Sequence, residues 1–288
     1  MGEQVAAYIY EPFAQTKEYR TINETIVRRW VDAMIEAGSR QVERILDLAT
    51  GVGTMVQIFL ENLPGQPRPV EIVCVDQSGQ ALEQAERNLN GQVKSLKLIQ
   101  SSLQELSLEP DSADVAMWGN GVHYLNENDQ REAFTRIREV LRPGGWFFFN
   151  SAFYEESRPE STLGFYRSQV ARAVRSLRER GITRDKTAAH PESANFLPLS
   201  HYRDLLQQAG FRVEEMKKFV ARLYQFAWEK ISGFSQYASG ALHGYPAEEA
   251  ARALQEAVAP SLQEYGVRDE KNELYIPRNW LSAIARAT

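Results

Sequence analysis

Apolar positions along the chain follow two alternating rhythms. Short, largely apolar runs at Ile45–Leu48, Val70–Val75, Leu96–Ile99, Ala113–Trp118 and Trp146–Phe149 read as strands covered on both faces, where polar alternation is not needed. Between them, apolar residues recur at helical spacing. Ile22, Ile26, Trp30 and Met34 mark a helix ending near Gly38. Met55, Val56, Phe59 and Leu60 mark a second, stopped by the proline-rich stretch 63–69. Ala81, Leu82, Ala85 and Leu89 mark a third, and Ala133, Phe134, Ile137, Val140 and Leu141 give the inner face of a fourth over 127–141. The turn Arg142-Pro-Gly-Gly145 leads into the strand Trp146–Asn150.

Beyond residue 150 the pattern becomes mostly helical. Residues 151–197 carry a helix with Leu163, Tyr166, Val170, Val174 and Leu177 inward. Its cations, Arg167, Arg172, Arg175, Arg178, Arg180, Arg184 and Lys186, outnumber Glu179 and Asp185. A solvated face is the expected reading of such charge, and an anionic-substrate patch is the alternative. Leu199–Ala209 reads as a helix capped by Gly210, and Phe211–Val220 as a strand. Residues 224–265 return to helix, with Tyr224, Phe226, Trp228, Phe234 and Tyr237 near their start. Asn279–Ala285 is a last strand. Residues 1–20 are aromatic-rich (Tyr8, Tyr10, Phe13, Tyr19) without clear periodicity.

Composition narrows the partners. The 288 residues, with 43% hydrophobic and 25% charged side chains, suit one large α/β domain or a domain with insertions. A net charge of −5 gives no reason to expect nucleic acid or an anionic membrane. The single cysteine, Cys74, lies in an apolar strand and reads as core filler. No basic region followed by an apolar run marks a secretory signal, Ala6 stands where a myristoylation signal needs Ser or Thr, and no run approaches the ~18 apolar residues of a spanning helix. The expectation is a cytoplasmic protein, monomeric or homodimeric, acting on a small molecule. No Cys/His spacing suggests zinc, Asn150 and Asp114 make a poor set for another cation, and no metal is expected.

The candidate chemistry centres on Ile45-Leu-Asp-Leu-Ala-Thr-Gly-Val-Gly-Thr54, a buried strand entering a loop of small residues and then a helix. Ala49, Gly51 and Gly53 let backbone approach a ligand closely, and Asp47 at the strand's carboxyl end is placed to accept hydrogen bonds. Ligands bind at that end of open α/β sheets. A dinucleotide loop requires a third glycine three residues after the second, where this chain has Val56. The stretch is instead similar to the D-x-G-x-G-x-G pattern of class I S-adenosylmethionine-dependent methyltransferases, as Asp47-x-Ala49-x-Gly51-x-Gly53. With alanine first, it resembles the quinone-ring, type 11 members. Three more markers follow in the family's order: Asp76 ending the second strand, Gly119–Leu125 after the fourth, and Leu-Arg-Pro-Gly-Gly-Trp146 before the fifth.

The resemblance implies a doubly wound, Rossmann-like, seven-stranded sheet, mostly parallel with an antiparallel last strand, plus a helical cap. The segments expected are N-terminal cap helices in 1–43, a cofactor-binding core in 44–150, a helical insertion in 151–198, a core helix and strand six in 199–223, a second insertion in 224–270 and the last strand in 271–288. The non-core segments are expected to gather over the sheet's carboxyl edge. The implied cofactor is S-adenosyl-L-methionine, released as S-adenosyl-L-homocysteine. Asp47, Ala49, Thr50, Gly51 and Gly53 would hold its methionine end. Asp76, with Gln77 beside it, would take the ribose hydroxyls; a helix N-cap is the plainer alternative for that acid. Ser101, Ser102 and Leu103 would meet the adenine, Ser102 standing where the family has an acid. Gly119 and Asn120 would lie beside the transferred methyl, and Tyr19 would act as a lid.

His123 is the expected general base, or else a cavity wall; Tyr124 shares its logic. His190, His201 and His243 read as structural or exposed. Tyr166, Tyr224 and Trp228 are candidates for an apolar acceptor cavity, or for packing alone. The expected activity is methyl transfer to oxygen or ring carbon of a small organic acceptor. The alternatives are a methyltransferase-fold enzyme catalysing a cyclisation, a nicotinamide-dependent oxidoreductase, and a partner-binding relative without activity.

Overall fold

The computed structural model describes residues 11–39, 41–64, 71–189 and 196–288. Tyr8, Tyr10, Val70, His190 and most of the proline-rich stretch lie outside them. In chain order the elements are α1 (Glu11–Ala14), α2 (Lys17–Glu36), β1 (Arg44–Leu48), α3 (Thr54–Asn62), β2 (Glu71–Asp76), α4 (Gly79–Leu89), β3 (Ser95–Gln100) and β4 (Ala113–Gly119). They continue with α5 (Glu127–Val140), β5 (Leu141–Ser151), α6 (Leu163–Glu179), α7 (Leu199–Gln208) and β6 (Phe211–Tyr224). The last are α8 (Gln225–Ser232), α9 (Ser235–Ala241), α10 (Ala247–Tyr265), β7 (Val267–Arg268) and β8 (Leu274–Ala287). The chain forms two compact units.

The sheet unit holds residues 21–154, 197–219 and 280–288. Its strand order is β3-β2-β1-β4-β5-β8-β6. The strands from β1 to β5 pair in parallel, and β8 runs antiparallel to β5. The order turns back between β1 and β4, so their carboxyl ends flank the crevice where an open sheet binds ligands. Leu48 lies in register with Trp118, which sets the loops after the two strands side by side.

The run Trp146-Phe-Phe-Phe149 shows why β5 lacks polar alternation: successive side chains point to opposite faces and helices cover both. Phe147 meets Phe134 of α5 edge-on at 5.6 Å, and Phe149 packs on Tyr202 of α7 at 5.7 Å. On the other face Phe148 stacks on Trp30 of α2, with centroids 5.2 Å apart and planes 8° from parallel, and touches Phe59 of α3. The Trp30 indole also donates to Ser282 Oγ at 2.8 Å. Helix α2 ends in a Schellman motif: Gly38 has φ +77°, and the amides of Gly38 and Ser39 donate to Ile35 and Met34 carbonyls.

Three expectations need correction. Arg142–Gly145, expected as a turn, forms part of β5, with the register slipping between Ala113↔Leu141 and Val115↔Trp146. The extra residues form a bulge, and Gly144 at φ +79° accommodates it. The last two long strands extend to Tyr224 and back to Leu274, well past the apolar runs that marked them. The short β7 adds an eighth strand, paired to β8.

The helical unit gathers the described parts of residues 1–20, 155–196 and 220–279. Helix α6 packs on α10, where the absence of a side chain on Gly164 admits the Tyr265 ring; a Cβ there would lie 2.5 Å from it. The inner face of α6 is Phe165, Tyr166, Gln169, Ala173 and Leu177, so Leu163, Val170 and Val174 sit at its margin rather than inside. Gln169 decides the phase. Its amide donates to Ser232 Oγ at 2.9 Å and Leu254 O at 3.2 Å, so a polar residue occupies the centre and hides the seam from a hydrophobicity count. The α6 cations are exposed; Arg172 pairs with Glu264 at 3.0 Å and Arg180 with Glu249 at 3.5 Å and with Glu256. That is a solvated face laced by ion pairs.

Candidate functional site

Three consecutive alternate residues turn the chain out of β1. Ala49, Gly51 and Gly53 have φ of +49°, +54° and +82°, all in the left-handed region. Only Ala49 bears a Cβ there, at a cost of roughly 1–2 kcal/mol. Gly53 leads directly into α3, and a Cβ on it would meet Leu89 of α4 at 3.2 Å. The Thr50 amide donates to Val75 O at 3.0 Å, tying the loop to β2. Val56, at the place of a dinucleotide loop's third glycine, is fully buried against the sheet unit's core.

Asp47 and Asp76 close on this loop from neighbouring strand ends. Asp47 is 1% exposed. Its Oδ2 accepts from Thr50 Oγ1, while Oδ1 has no partner among the described residues. Burial pushes its carboxyl up to about 7; the Thr50 hydroxyl pulls it down, and the nearby Asp76 pushes it further up. Asp76 accepts from the Gly51 amide through Oδ2 and from the Ser78 amide through Oδ1, both at 2.9 Å. Burial raises its carboxyl as well, against the pull of those amides. Each carboxylate oxygen has a second acceptor site, so Asp76 can still take two hydroxyls. The cap of α4 belongs to Ser78, whose Oγ accepts from Ala81 N at 3.2 Å. Cys74 is buried beside them, with its thiol pushed up to about 12 by burial and Asp47.

Gly119 ends β4, and Asn120 opens the next loop, which passes beside Ala49. A Cβ on Gly119 would touch Met55 Cγ at 2.7 Å, and one on Gly121 would lie 2.3 Å from Trp118 Nε1 and 3.0 Å from Ala49 Cβ. Asn120 has φ +48°. Its amide donates to Asn150 O at 3.0 Å and Oδ1 at 3.1 Å, and its Oδ1 accepts from Ala152 N at 2.8 Å. Asn150 Nδ2 donates to Asn23 Oδ1 at 2.8 Å. This asparagine network was not anticipated, because its members are 30 and 127 residues apart. Asn120 Nδ2 and Trp118 Nε1 are buried without a partner among the described residues. With Asp47 Oδ1 they leave three polar atoms at the β1 and β4 ends for a polar ligand to satisfy.

His123 lies in a 3-10 turn, Val122–Tyr124, directly after that loop. It is 2% exposed, stacked on Phe153 with centroids 4.1 Å apart, and 4.0 Å from the Tyr124 ring. His201 is half-buried on α7, 3.2 Å from Gln130 Oε1, and burial lowers its pKa.

After β3, the Ser101 amide donates to Asp76 O at 3.1 Å. Ser102 caps a turn: its Oγ accepts from Glu105 N at 3.2 Å and donates to the Glu105 carboxylate at 3.3 Å. Leu103 is buried in the core with Leu106, and Gln77 is exposed with its carbonyl accepting from Gln100 Nε2 at 3.0 Å. Asp114 lies at the amino end of β4, where it accepts from Glu43 N and Arg44 N and pairs with Arg142, at the other end of the sheet from Asn150.

The remaining candidates lie in the helical unit. Tyr19 sits in the first turn of α2, buried edge-on against Phe13 at 5.4 Å, and its amide is capped by Thr16 Oγ1. Tyr166 and Trp228 pack together at 5.6 Å. Tyr224 is half-buried and donates to Asp269 Oδ2 at 2.8 Å, which raises its pKa.

A family profile described as a methyltransferase domain matches residues 45–145. The chain is 30% identical over 199 residues to the ubiquinone/menaquinone biosynthesis C-methyltransferase UbiE of Syntrophotalea carbinolica, covering 67% of this chain and 79% of that protein. Among solved structures it is similar to the N-methyltransferase NodS of Bradyrhizobium japonicum in complex with S-adenosyl-L-homocysteine, with TM-score 0.52, 12% identity, and 98% and 93% of the two chains covered. It is also similar to the 4+2 cyclase SpnF, with TM-score 0.52, 15% identity, and 90% and 80% covered.

Proposed function

The chain belongs to the class I S-adenosylmethionine-dependent methyltransferases, and from that premise we propose that it methylates an oxygen or ring carbon of a small organic acceptor. The observation that carries the cofactor end of this reading is the pair of buried acids at the β1 and β2 ends. Asp47 makes no ion pair among the described residues, and burial works against its charge. A cation placed at its free oxygen would favour the ionised form. When bound, S-adenosylmethionine supplies a methyl on a sulfonium, a leaving group that already carries the driving force for in-line displacement.

The protein's part is to bind, orient and exclude water. Asp47 and the loop Ala49–Gly53 hold the cationic methionine end, with Thr50 fixing the Asp47 rotamer. Asp76 takes the ribose hydroxyls on its remaining acceptor sites, with Gln77 beside it. Ser101 and Leu103 border the adenine; Ser102 contributes turn geometry rather than the acid's hydrogen bond, because its hydroxyl is engaged with Glu105. Gly119 and Asn120 border the methyl. Methylation at oxygen or at ring carbon releases a proton, and His123, directly after the β4 loop, is proposed to accept it, with Tyr124 and Phe153 shaping the aromatic wall. Tyr19 is kept as a proposed cofactor contact, and Tyr166, Tyr224 and Trp228 as proposed acceptor contacts.

The test is turnover of a panel of phenols and quinols with the purified protein, following S-adenosylhomocysteine release, for the native chain and His123→Ala. A base role lowers kcat about 100-fold or more, with little change in KM, and removes the alkaline-rising limb of the pH profile. Equal losses in kcat and 1/KM would make His123 a cavity wall. The similarity in fold to a cyclase supplies the second reading: substrate consumption that requires the cofactor but releases no S-adenosylhomocysteine.

A further inference from the structure

The sheet ends in β3 on one side and in β6 on the other, and β8 is the only strand bonded to β6 among the described residues. An open edge invites pairing with another chain, and proteins guard such edges with charge, bulges or covering segments. The edge β3, Ser95-Leu-Lys-Leu-Ile-Gln100, carries one charge, Lys97. The edge β6 carries a different pattern. Its segment Val213-Glu-Glu-Met-Lys-Lys-Phe219 sets two acids and two bases at mirror positions about Met216, all within the sheet unit.

The structure keeps these charges at the surface. Glu214 accepts from Arg212, two residues back on its own strand, at 2.6 Å. Glu215 meets Arg29 of α2 at 3.0 Å, with its side chain 26% exposed. Lys217 and Lys218 are exposed and form no ion pair among the described residues; Lys217 Nζ lies 5.4 Å from the Phe219 ring centroid. Val213 and Met216 both pack against the core, three residues apart, so the side-chain alternation slips once between them. Past that slip Lys217 and Phe219 turn away from the core cluster, to the face where Glu215 meets Arg29.

Two such edges laid parallel and in register would set each charge against its like, which is destabilising. Laid antiparallel about a two-fold axis at Met216, Glu215 faces Lys217 of the second copy and Glu214 faces Lys218, each pair occurring twice. Val213 then faces Phe219, apolar against apolar. Opposite charges at facing positions stabilise an antiparallel ladder, and slipping the register by one residue loses half of these pairs. Lysines alone would guard the edge against every partner. The acids at the mirror positions lift that guard for one partner, a second copy of this strand.

We propose that β6 is a homodimer interface, in which two copies pair edge to edge, antiparallel about Met216, and join their sheets into one. The contact is isologous, so it closes at two copies. A single pair of strand edges is small beside a standard protein interface, so the dimer is reversible and sensitive to ionic strength.

Sedimentation velocity of the full chain over about 5–200 µM, at about 20 and 500 mM salt, tests this. The native chain sediments as a reversible dimer whose dissociation constant rises at least about 5-fold at the higher salt. Lys217→Glu with Lys218→Glu makes every facing charge pair alike, weakens the dimer at least about 10-fold and reverses the sign of the salt effect. Glu214→Lys with Glu215→Gln, which keeps an acceptor for Arg29, weakens it as well. An equimolar mixture of the two variants regains the dimer, because acids again face lysines; a misfolded variant would not. Circular dichroism melts check the fold of each, and should the first not fold, the second and the salt dependence of the native chain carry the test. A native chain that stays monomeric throughout, a dimer indifferent to salt and to both variants, or folded variants that stay apart when mixed would overturn the proposal.

Discussion

Replacing Asp47 by asparagine separates what the residue costs the free protein from what it gives the proposed cofactor site. Burial holds its carboxyl at about 7 against an ordinary 3.8. A folded-state pKa above the unfolded one means that protonated Asp47 contributes stability below about pH 4, and that this contribution disappears as pH rises through about 7. With about 1.4 kcal/mol per unit, ionising this side chain in the free protein costs on the order of 4 kcal/mol by pH 8.5. Asparagine keeps the shape and retains an acceptor for the Thr50 hydroxyl while carrying no charge. Asp47→Asn is therefore expected to stabilise the free protein at pH 8.5 by about 2–4 kcal/mol, several degrees in Tm for a chain of this length. At pH 5.5 the gain shrinks by about 2 kcal/mol, because only the part of the window between about pH 4 and 5.5 still acts. Urea denaturation of both proteins at pH 5.5, 7 and 8.5 measures this, with S-adenosylhomocysteine titrated in parallel and expected to bind at least 10-fold more weakly to the variant. Thr50→Val should move the pH midpoint upward, since the hydroxyl is what pulls Asp47 down. Equal stability of native and variant at pH 8.5, or a gain that does not vary with pH, would refute the reasoning.

Asp76→Ala should weaken S-adenosylhomocysteine by roughly 1–3 kcal/mol, or about 5- to 150-fold, through lost charge-assisted hydrogen bonds; unchanged affinity in calorimetry would remove Asp76 from the site. Gly121→Ala sets a Cβ 2.3 Å from the buried Trp118 indole nitrogen, and should cost about 1–3 kcal/mol in urea denaturation as the core is overpacked. Trp30→Ala removes the ring stacked on Phe148 and bonded to Ser282, and should cost about 3–5 kcal/mol; a loss under 1 kcal/mol would mean that α2 packs by other contacts.

Much of the sheet was legible because its signals are local. Each parallel strand is a compact apolar run, each following helix a periodic face, and Gly51, Gly53 and Asp76 sit at the positions where the loop turns. What escaped is non-local. The inner face of α6 was mis-phased because Gln169 is buried through partners on α8 and α10, 63 and 85 residues away. The Asn23–Asn150–Asn120 network joins three segments whose asparagines look like ordinary turn residues in isolation. The bulge in β5 depends on pairing with β4, which the turn signature Arg-Pro-Gly-Gly does not encode.

The central claim is that the Asp47–Asp76 loop holds S-adenosylmethionine. Calorimetric titration of the purified protein with S-adenosylmethionine, S-adenosylhomocysteine and NADH in parallel tests it most directly. The account predicts micromolar binding of the first two and none of NADH, with both affinities falling as pH drops below about 7 and Asp47 takes up its proton. Silence toward both sulfur compounds, or binding of NADH in their place, would contradict it.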